Sequence, residues 1–311
     1  MAGWQSGHAA ACKAVYAGSI PASASNNIMK IAIIGYGFVG QALEMGLKKN
    51  VEVFKVDPKL NTYVKDLKYF KPDVIFICVP TPMNDDLSQD ISILEKVISQ
   101  LTNLDMQALI VLKSTVLPIY INKIQKLIPN FIYNPEFLRE KHANEDFVNS
   151  NLIVFGGGIS MSKRLASFYK NYTKCLCTDY VFTDALTASF IKYTINSYLA
   201  TKVIFFNELK QLFDKAELEE SWTNFISFLS RDARLGNSHM DVPGHDGRLG
   251  FGGACLPKDS NAFMTYADSI DISLGLLKNA INTNNKIRSE YNTKTDRENE
   301  QNINFKGEKN N

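Results

Sequence analysis

Lys30-Ile31-Ala32-Ile33-Ile34-Gly35-Tyr36-Gly37-Phe38-Val39-Gly40 runs from an apolar strand through a glycine-rich turn into a stretch of helical periodicity that reaches about Lys49. The turn has the spacing G-x-G-x-x-G. Gly35 permits the tight turn, Gly37 lets a pyrophosphate approach the main chain, and Gly40 lets the helix pack closely on the strand. A second strand, over residues 51–56, ends at Asp57, about twenty residues on, where a carboxylate accepts from both ribose hydroxyls of a dinucleotide. The same charge repels a 2′-phosphate, so NAD is expected rather than NADP. A glycine-rich turn in some other α/β protein could share the spacing; the strand before it and the acid after it argue for the dinucleotide.

Strand-like runs at residues 73–79, 108–113, 131–133 and 152–155, with amphipathic stretches at 91–101 and 119–127 between some of them, predict an α/β fold with a parallel, doubly wound sheet. In such sheets ligands lie outside the carboxyl ends of the strands, where Pro80-Thr81-Pro82, Lys113-Ser114-Thr115 and Asn134-Pro135-Glu136 fall. From about residue 183 to 215 apolar residues recur at helical spacing without Gly or Pro. This predicts a long helix leading from the cofactor domain into an all-helical second part, serving either as a dimer interface or as the scaffold of one subunit. Lys192 and Asn196, four apart, share a face of it, as an exposed solvated pair also would.

The run Gly250-Phe251-Gly252-Gly253-Ala254-Cys255-Leu256-Pro257-Lys258-Asp259 sets a thiol on a turning segment just before a helix start, with a lysine and a carboxylate within one turn. Backbone N–H groups at a helix N-terminus and a neighbouring ammonium both favour thiolate. A nucleophile is therefore expected at Cys255, against the plain alternative of a buried structural cysteine.

Composition fits an enzyme with two cores. The chain has 311 residues, 45% hydrophobic, and a formal charge of +2, without the basic excess of a nucleic-acid binder. Five cysteines, Cys12, Cys78, Cys175, Cys177 and Cys255, form no spaced framework, and free thiols in a reducing cytoplasm are expected. Cys175 and Cys177 read as alternate faces of a short strand, and no metal site is expected. No apolar run approaches the roughly twenty residues that cross a bilayer, so no membrane partner is expected. Residues 1–28 are rich in Ala, Ser and Gly, and Ala17-Gly18-Ser19-Ile20-Pro21 matches one reading frame of the T-arm of a transfer-RNA gene. A disordered leader with Met29 as the true initiator is expected there, and a disordered polar tail over 292–311.

Taken together, these blocks make the chain resemble the UDP-glucose/GDP-mannose dehydrogenase family, and most closely its UDP-glucose 6-dehydrogenases. The resemblance runs from Met29 to about Tyr291 and rests on GYGFVG at residues 35–40, CVPTP at 78–82, KST at 113–115, NPEFLRE at 134–140, KYTINSYLATKVIFFNE at 192–208 and GFGGACLPKD at 250–259. It implies an NAD-binding Rossmann domain over 29–182 and a helical, 6-phosphogluconate dehydrogenase-like central domain over 183–291.

The activity it implies is oxidation of a sugar C6 alcohol to a carboxylate in two NAD-dependent steps. Cys255 holds the aldehyde as a thiohemiacetal and then a thioester. Lys192 and Asn196 match the donors to the developing oxyanion, Asp259 and Thr115 the pair that orders a water and handles the alcohol proton, and Glu136 the base for thioester hydrolysis. Cofactor contacts are implied at Gly35, Gly37, Phe38, Val39, Gly40, Asp57, Val79, Pro80, Thr81, Thr115, Glu140 and Lys258. Substrate contacts are implied at Phe137, Leu138, Arg139, Lys192, Asn196, Arg234, Asn237, Phe251, Gly252 and Gly253, with structural surface arginines as the lesser alternative for Arg139 and Arg234.

Family members normally continue into a second nucleotide-binding domain that contributes to the nucleotide end of the substrate site and an arginine near the cofactor, and the residues after Tyr291 are too few for it. Three expectations follow: a minimal dehydrogenase completed by a homodimer, a subunit needing a separate nucleotide-binding partner, or a non-catalytic remnant that binds NAD or a nucleotide sugar. The substrate alternatives are UDP-glucose, GDP-mannose and other UDP-sugars. A β-hydroxyacid dehydrogenase shares the Rossmann domain and long helix but needs no thiol, so Cys255 argues against it.

Overall fold

The computed structural model describes residues 28–104, 106–128 and 131–305. The leader expected over residues 1–28 lies outside the described residues apart from Ile28, as does the tail beyond 305.

The first half alternates as β1 (Met29–Ile34), α1 (Phe38–Met45), β2 (Val51–Val56), α2 (Leu67–Phe70), β3 (Val74–Ile77), α3 (Ser92–Thr102), β4 (Leu109–Leu112), α4 (Pro118–Leu127), β5 (Phe131–Tyr133), α5 (Ala143–Val148), β6 (Ile153–Gly156), α6 (Ile159–Tyr172) and β7 (Tyr180–Thr183). The strands form one sheet in the order β2-β1-β3-β4-β5-β6-β7. Both faces are covered, which is why the strands read as unbroken apolar runs. Ala32, Ile34, Ile75, Ile77, Ile110 and Leu112 fill the core on one side, and Ile31, Ile33, Val74, Phe76, Leu109 and Val111 the core on the other.

The pairing differs from the expected parallel sheet at one place: β5 and β6 meet antiparallel through Tyr133 and Gly156, whereas all other pairs are parallel. Cys175 and Cys177 do not form a strand either. They lie in the link between α6 and β7, where Cys177 Sγ donates to the carbonyl of Asp179 at 3.2 Å.

β1 has β2 on one side and β3 on the other, so the chain reverses direction across the sheet at the end of β1, and a crevice opens there. Gly35 stands at that end with φ +89°, and a Cβ on it would lie 2.8 Å from the main chain of Cys78 and Val79. Only glycine can turn there while the strands' ends stay in contact.

The second half is helical: α7 (Ala185–Lys215), α8 (Trp222–Leu229), α9 (Leu256–Asp268), α10 (Gly275–Ser289) and α11 (Asp296–Glu300). Asp184 caps α7 by accepting from Thr187 N at 2.9 Å. At 31 residues the helix is about 46 Å long, enough to belong to both halves. Its first turns pack on the sheet through Ala185 and Ala188, and farther along Tyr193, Ala200 and Ile204 share a core with Phe263 of α9 and Leu277 and Ile281 of α10.

The expected disorder from residue 292 does not hold through residue 305. Thr295 and Glu298 form a reciprocal capping box at the start of α11, and both Glu298 and Ile303 are fully buried. A polar composition concealed this because what is buried is a carboxylate that finds partners, not an apolar run. No helix among the described residues is long and apolar enough to cross a membrane.

Candidate active site

Three parts of the chain bring their chemistry to one place beside the carboxyl edge of the sheet. The segment after β5 supplies Glu136, α7 supplies Lys192 and Asn196, and the start of α9 supplies Cys255, Lys258 and Asp259. Lys192 Nζ donates to the carbonyl of Glu136 at 2.7 Å and lies 3.4 Å from its Oε1. Asn196 Nδ2 donates to Asp259 Oδ2 at 2.6 Å, and Lys258 Nζ to Asp259 Oδ1 at 2.5 Å. Glu136, Lys192, Asn196, Lys258 and Asp259 are all buried, and Cys255 at the N-cap of α9 is mostly covered. Two ammonium groups thus balance two carboxylates in a dry cluster, and Glu136 Oε2 is buried without a hydrogen-bond partner among the described residues.

The electrostatics correct one expectation. Cys255 is pushed up to about 11, chiefly by burial and then by the negative charge of Asp259, with Lys192 and Lys258 pulling the other way. Its resting form near neutral pH is therefore the thiol, not the thiolate. Burial alone would lower Lys192, but Glu136, Asp259 and Cys255 outweigh it and hold its ammonium above the usual range. A firmly charged donor thus faces the thiol.

Thr115 enters from the end of β4. Its carbonyl accepts from Thr81 Oγ1 at 2.9 Å and from Gln89 Nε2 at 2.7 Å, and Gln89 Oε1 accepts from Leu117 N at 3.1 Å. Gln89 is therefore what fixes the turn after Thr115, and nothing in the sequence marks it as more than a lone polar residue. Behind Glu136, buried Lys113 donates to the carbonyl and Oδ1 of Asn134 at 3.2 and 3.1 Å, and Tyr169 OH donates to the same Oδ1 at 2.6 Å. Burial holds Lys113 below its usual range.

The crevice fits the expected dinucleotide. Apart from its chain neighbours and its own helix, no atom of the described residues lies within 4 Å of the place a Cβ on Gly37 would take, so the main chain there is open to a ligand. Gly37 begins α1 without a side-chain cap, leaving the first N–H groups of that helix free for an anion. Asp57 accepts from Tyr36 N at 2.8 Å and from Lys59 N at 2.9 Å, which fixes the carboxylate at the end of β2. Val79 and Thr81 are buried with Pro80 exposed between them, Phe38 and Val39 are partly covered, and Gly40 is buried against the turn. Glu140 pairs with Arg297 at 2.6 Å.

The expected substrate residues are less gathered. Phe137 lies under Lys192 Nζ, 5.4 Å from its ring centre. Leu138 packs on a sheet core, and Phe251 is buried in the helical core. Arg139 forks onto Asp146, and Arg234, 89% exposed, onto Asp232, so their hydrogen bonds go to neighbouring carboxylates and not to the cluster. Asn237 is exposed, and Gly252 and Gly253 belong to the arch that carries Cys255.

Residues 43–173 match the NAD binding domain of the UDP-glucose/GDP-mannose dehydrogenase family, and residues 186–286 its central domain. The chain belongs to this family. It is 30% identical over 300 residues to the UDP-glucose 6-dehydrogenase of Rickettsia typhi, covering 84% of this chain and 67% of that one. It is 27% identical over 310 residues to that of Campylobacter jejuni, covering 88% and 76%. The fold matches that of a UDP-glucose dehydrogenase from Pyrobaculum islandicum with a TM-score of 0.67 at 24% identity, over 86% of this chain and 70% of that one. The chain spans only part of its curated relatives, as little as 25% of one.

The raised thiol gives a pH prediction. An ordinary thiol loses its proton near 9, whereas folded Cys255 keeps its proton to about 11. The stability from burying the neutral thiol is then present below pH 9 and lost as pH rises through 11. Alkylation of Cys255 by iodoacetamide, followed by mass spectrometry of its peptide, should climb with a midpoint near 11, and Asp259→Asn should move that midpoint down. A wild-type midpoint at or below 9 would contradict this environment.

Proposed function

We propose that the chain holds the catalytic core of a nucleotide-sugar 6-dehydrogenase, which oxidises UDP-glucose to UDP-glucuronate with NAD through a covalent bond to Cys255. The observation that carries the reading is the gathering of Glu136, Lys192, Asn196, Lys258 and Asp259 in one buried cluster around Cys255. A single oxidation of an alcohol needs no thiol; a double oxidation that must hold an aldehyde does. The reading divides the chain into a cofactor domain over 29–182 and a helical domain over 183–291.

When bound, NAD would supply the hydride acceptor at the sugar C6, one NAD molecule for each of the two oxidations in turn. The residues of the chain do the rest. Asp259 and Thr115, through a water between them, take the hydroxyl proton as the alcohol becomes an aldehyde. The Lys192 ammonium and the Asn196 amide face the oxygen on which charge develops, in a site from which bulk water is excluded. Sγ of Cys255 then adds to the aldehyde carbon as its S–H bond breaks, and the proton passes to the neighbouring carboxylate. That carboxylate returns the proton to the aldehyde oxygen, completing the thiohemiacetal, which becomes a thioester as it loses its hydroxyl proton and the second C6 hydride, the latter to a second NAD. The unpartnered Oε2 of Glu136 is suited to take a proton from the water that hydrolyses it, releasing the acid and restoring the thiol.

NADH release should equal two equivalents per sugar acid with UDP-glucose, measured against a panel of UDP- and GDP-sugars. Cys255→Ala should form no acid, and Asp57→Ala should narrow a strong preference for NAD over NADP. Acid formation by Cys255→Ala at the wild-type rate would overturn the covalent route, and a better rate with GDP-mannose or another UDP-sugar would move the substrate assignment to that sugar.

A homodimer through α7 belongs to the same reading. Tyr198, Phe205 and Leu212, seven residues apart on one face, are 59%, 58% and 64% exposed. Such a stripe is the seam of two packed helices. Sedimentation should give a dimer that Phe205→Asp dissociates; a wild-type monomer would refute it.

A further inference from the structure

The arch that carries Cys255 is held, residue by residue, by buried polar side chains from three helices. Gly250 N donates to Asn207 Oδ1 of α7 at 2.9 Å, and Arg288 Nη2 of α10 donates to the carbonyl of Gly250 at 2.9 Å. Asn284, also on α10, grips Phe251 twice, its Oδ1 accepting from the N–H at 2.7 Å and its Nδ2 donating to the carbonyl at 3.0 Å. Gly253 N, two residues before the thiol, donates to Glu298 Oε1 of α11 at 3.2 Å. Asn207, Asn284, Arg288 and Glu298 are all buried.

Glu298 differs from the other three because its segment also grips the cofactor domain. Its Oε1 lies 4.0 Å from Arg288 Nη1, and Arg288 is itself paired with Asp246 at 2.6 Å. Its Oε2 accepts from Thr295 N at 2.8 Å, which closes the capping box. The neighbouring Arg297 pairs with Glu140 at 2.6 Å and covers the Phe38 ring at 5.4 Å. Met83 N donates to the carbonyl of Gln301 at 3.1 Å, and Asn302 Nδ2 donates to the carbonyl of Met83 at 2.9 Å. Residues 295–303 therefore form a strap with one side on the cofactor domain and Glu298 on the arch. Gly252 is the reason the carboxylate can come so near: a Cβ there would lie 2.6 Å from Glu298 Oε1 and 2.7 Å from the Arg288 guanidinium.

We infer that Glu298 is a positioning residue for Cys255, fixing the N–H of Gly253 two residues before the thiol and setting the thiol at a constant distance from the cofactor domain. This assignment rests on the proposed role of Cys255, but its structural part can be tested without any turnover. A thiol that must meet a carbon held by another domain needs such a tie, because a displacement of about 1 Å at a reacting centre can cost about a hundredfold in rate.

The test compares Glu298→Ala, Glu298→Gln and Glu298→Asp in the full chain by iodoacetamide labelling of Cys255, with kcat and KM alongside. Releasing the arch in Glu298→Ala should speed labelling of the mostly covered thiol severalfold while kcat falls roughly tenfold or more and KM moves little. Glu298→Gln keeps an acceptor at the same reach and should restore both toward wild type, and Glu298→Asp, one methylene shorter, should fall between. A more reactive thiol in a slower enzyme is not the mark of general destabilisation, which would also raise labelling at Cys78. If Glu298→Ala does not fold, the Gln and Asp variants make the same comparison. Equal labelling rates across the variants would overturn the inference whether or not the chain is active; altered labelling in a chain that makes no acid would leave it standing and fail the dehydrogenase reading instead.

Discussion

One buried carboxylate holds the reactive segment to the long helix. Asp259 sits in the first turn of α9, accepts from Asn196 of α7 on one oxygen and from Lys258 on the other, and leaves almost no surface to water. Lys192, one turn earlier on α7, reaches the segment after β5 through Glu136. The long helix is thus joined by buried polar contacts to the cofactor sheet at one point and to the cysteine-bearing helix at another. A charge this deep is tolerable only with its partners in place, so the relative setting of the two halves and the electrostatics of the thiol depend on the same contacts.

Those contacts explain why the thiol rests protonated although it caps a helix beside two lysines. The cations are already spent on Glu136 and Asp259, and burial then raises the thiol above its ordinary value. A neutral resting cysteine in a charge-balanced cluster resists adventitious oxidation, since the thiolate is the form that reacts. On the proposed mechanism it becomes a nucleophile only as its proton leaves, when a carbonyl carbon is within reach.

Much of this was legible in the sequence, for identifiable reasons. The sheet announced itself because both its faces are covered, giving short apolar runs such as residues 74–77 and 109–112, and α7 because it is long, periodic and free of Gly and Pro. The cluster was legible where it coincides with dense local motifs: Cys255, Lys258 and Asp259 are neighbours in the chain, and Lys192 and Asn196 lie one helical turn apart. The antiparallel contact of β6 was hidden because a strand's direction is set by the length and path of its connection, not by its own residues. Gln89, Asn284, Arg288 and Glu298 were hidden for another reason: each acts on a backbone group 28 to 45 residues away, and no local spacing records such a contact. The structured segment after residue 292 belongs to the same class, its polar letters reading as solvated until Glu298 is seen against the arch.

The central claim is that Cys255 carries the sugar between two oxidations, and acid quenching tests it most directly. In Glu136→Gln, where hydrolysis of a thioester should be slow, mixing with UDP-glucose and NAD followed by rapid quench and peptide mass spectrometry should reveal a UDP-glucuronyl adduct on the Cys255 peptide, formed in step with the NADH burst and lost in step with release of the sugar acid. Production of the sugar acid by this variant with no adduct on Cys255 at any quench time would contradict the account.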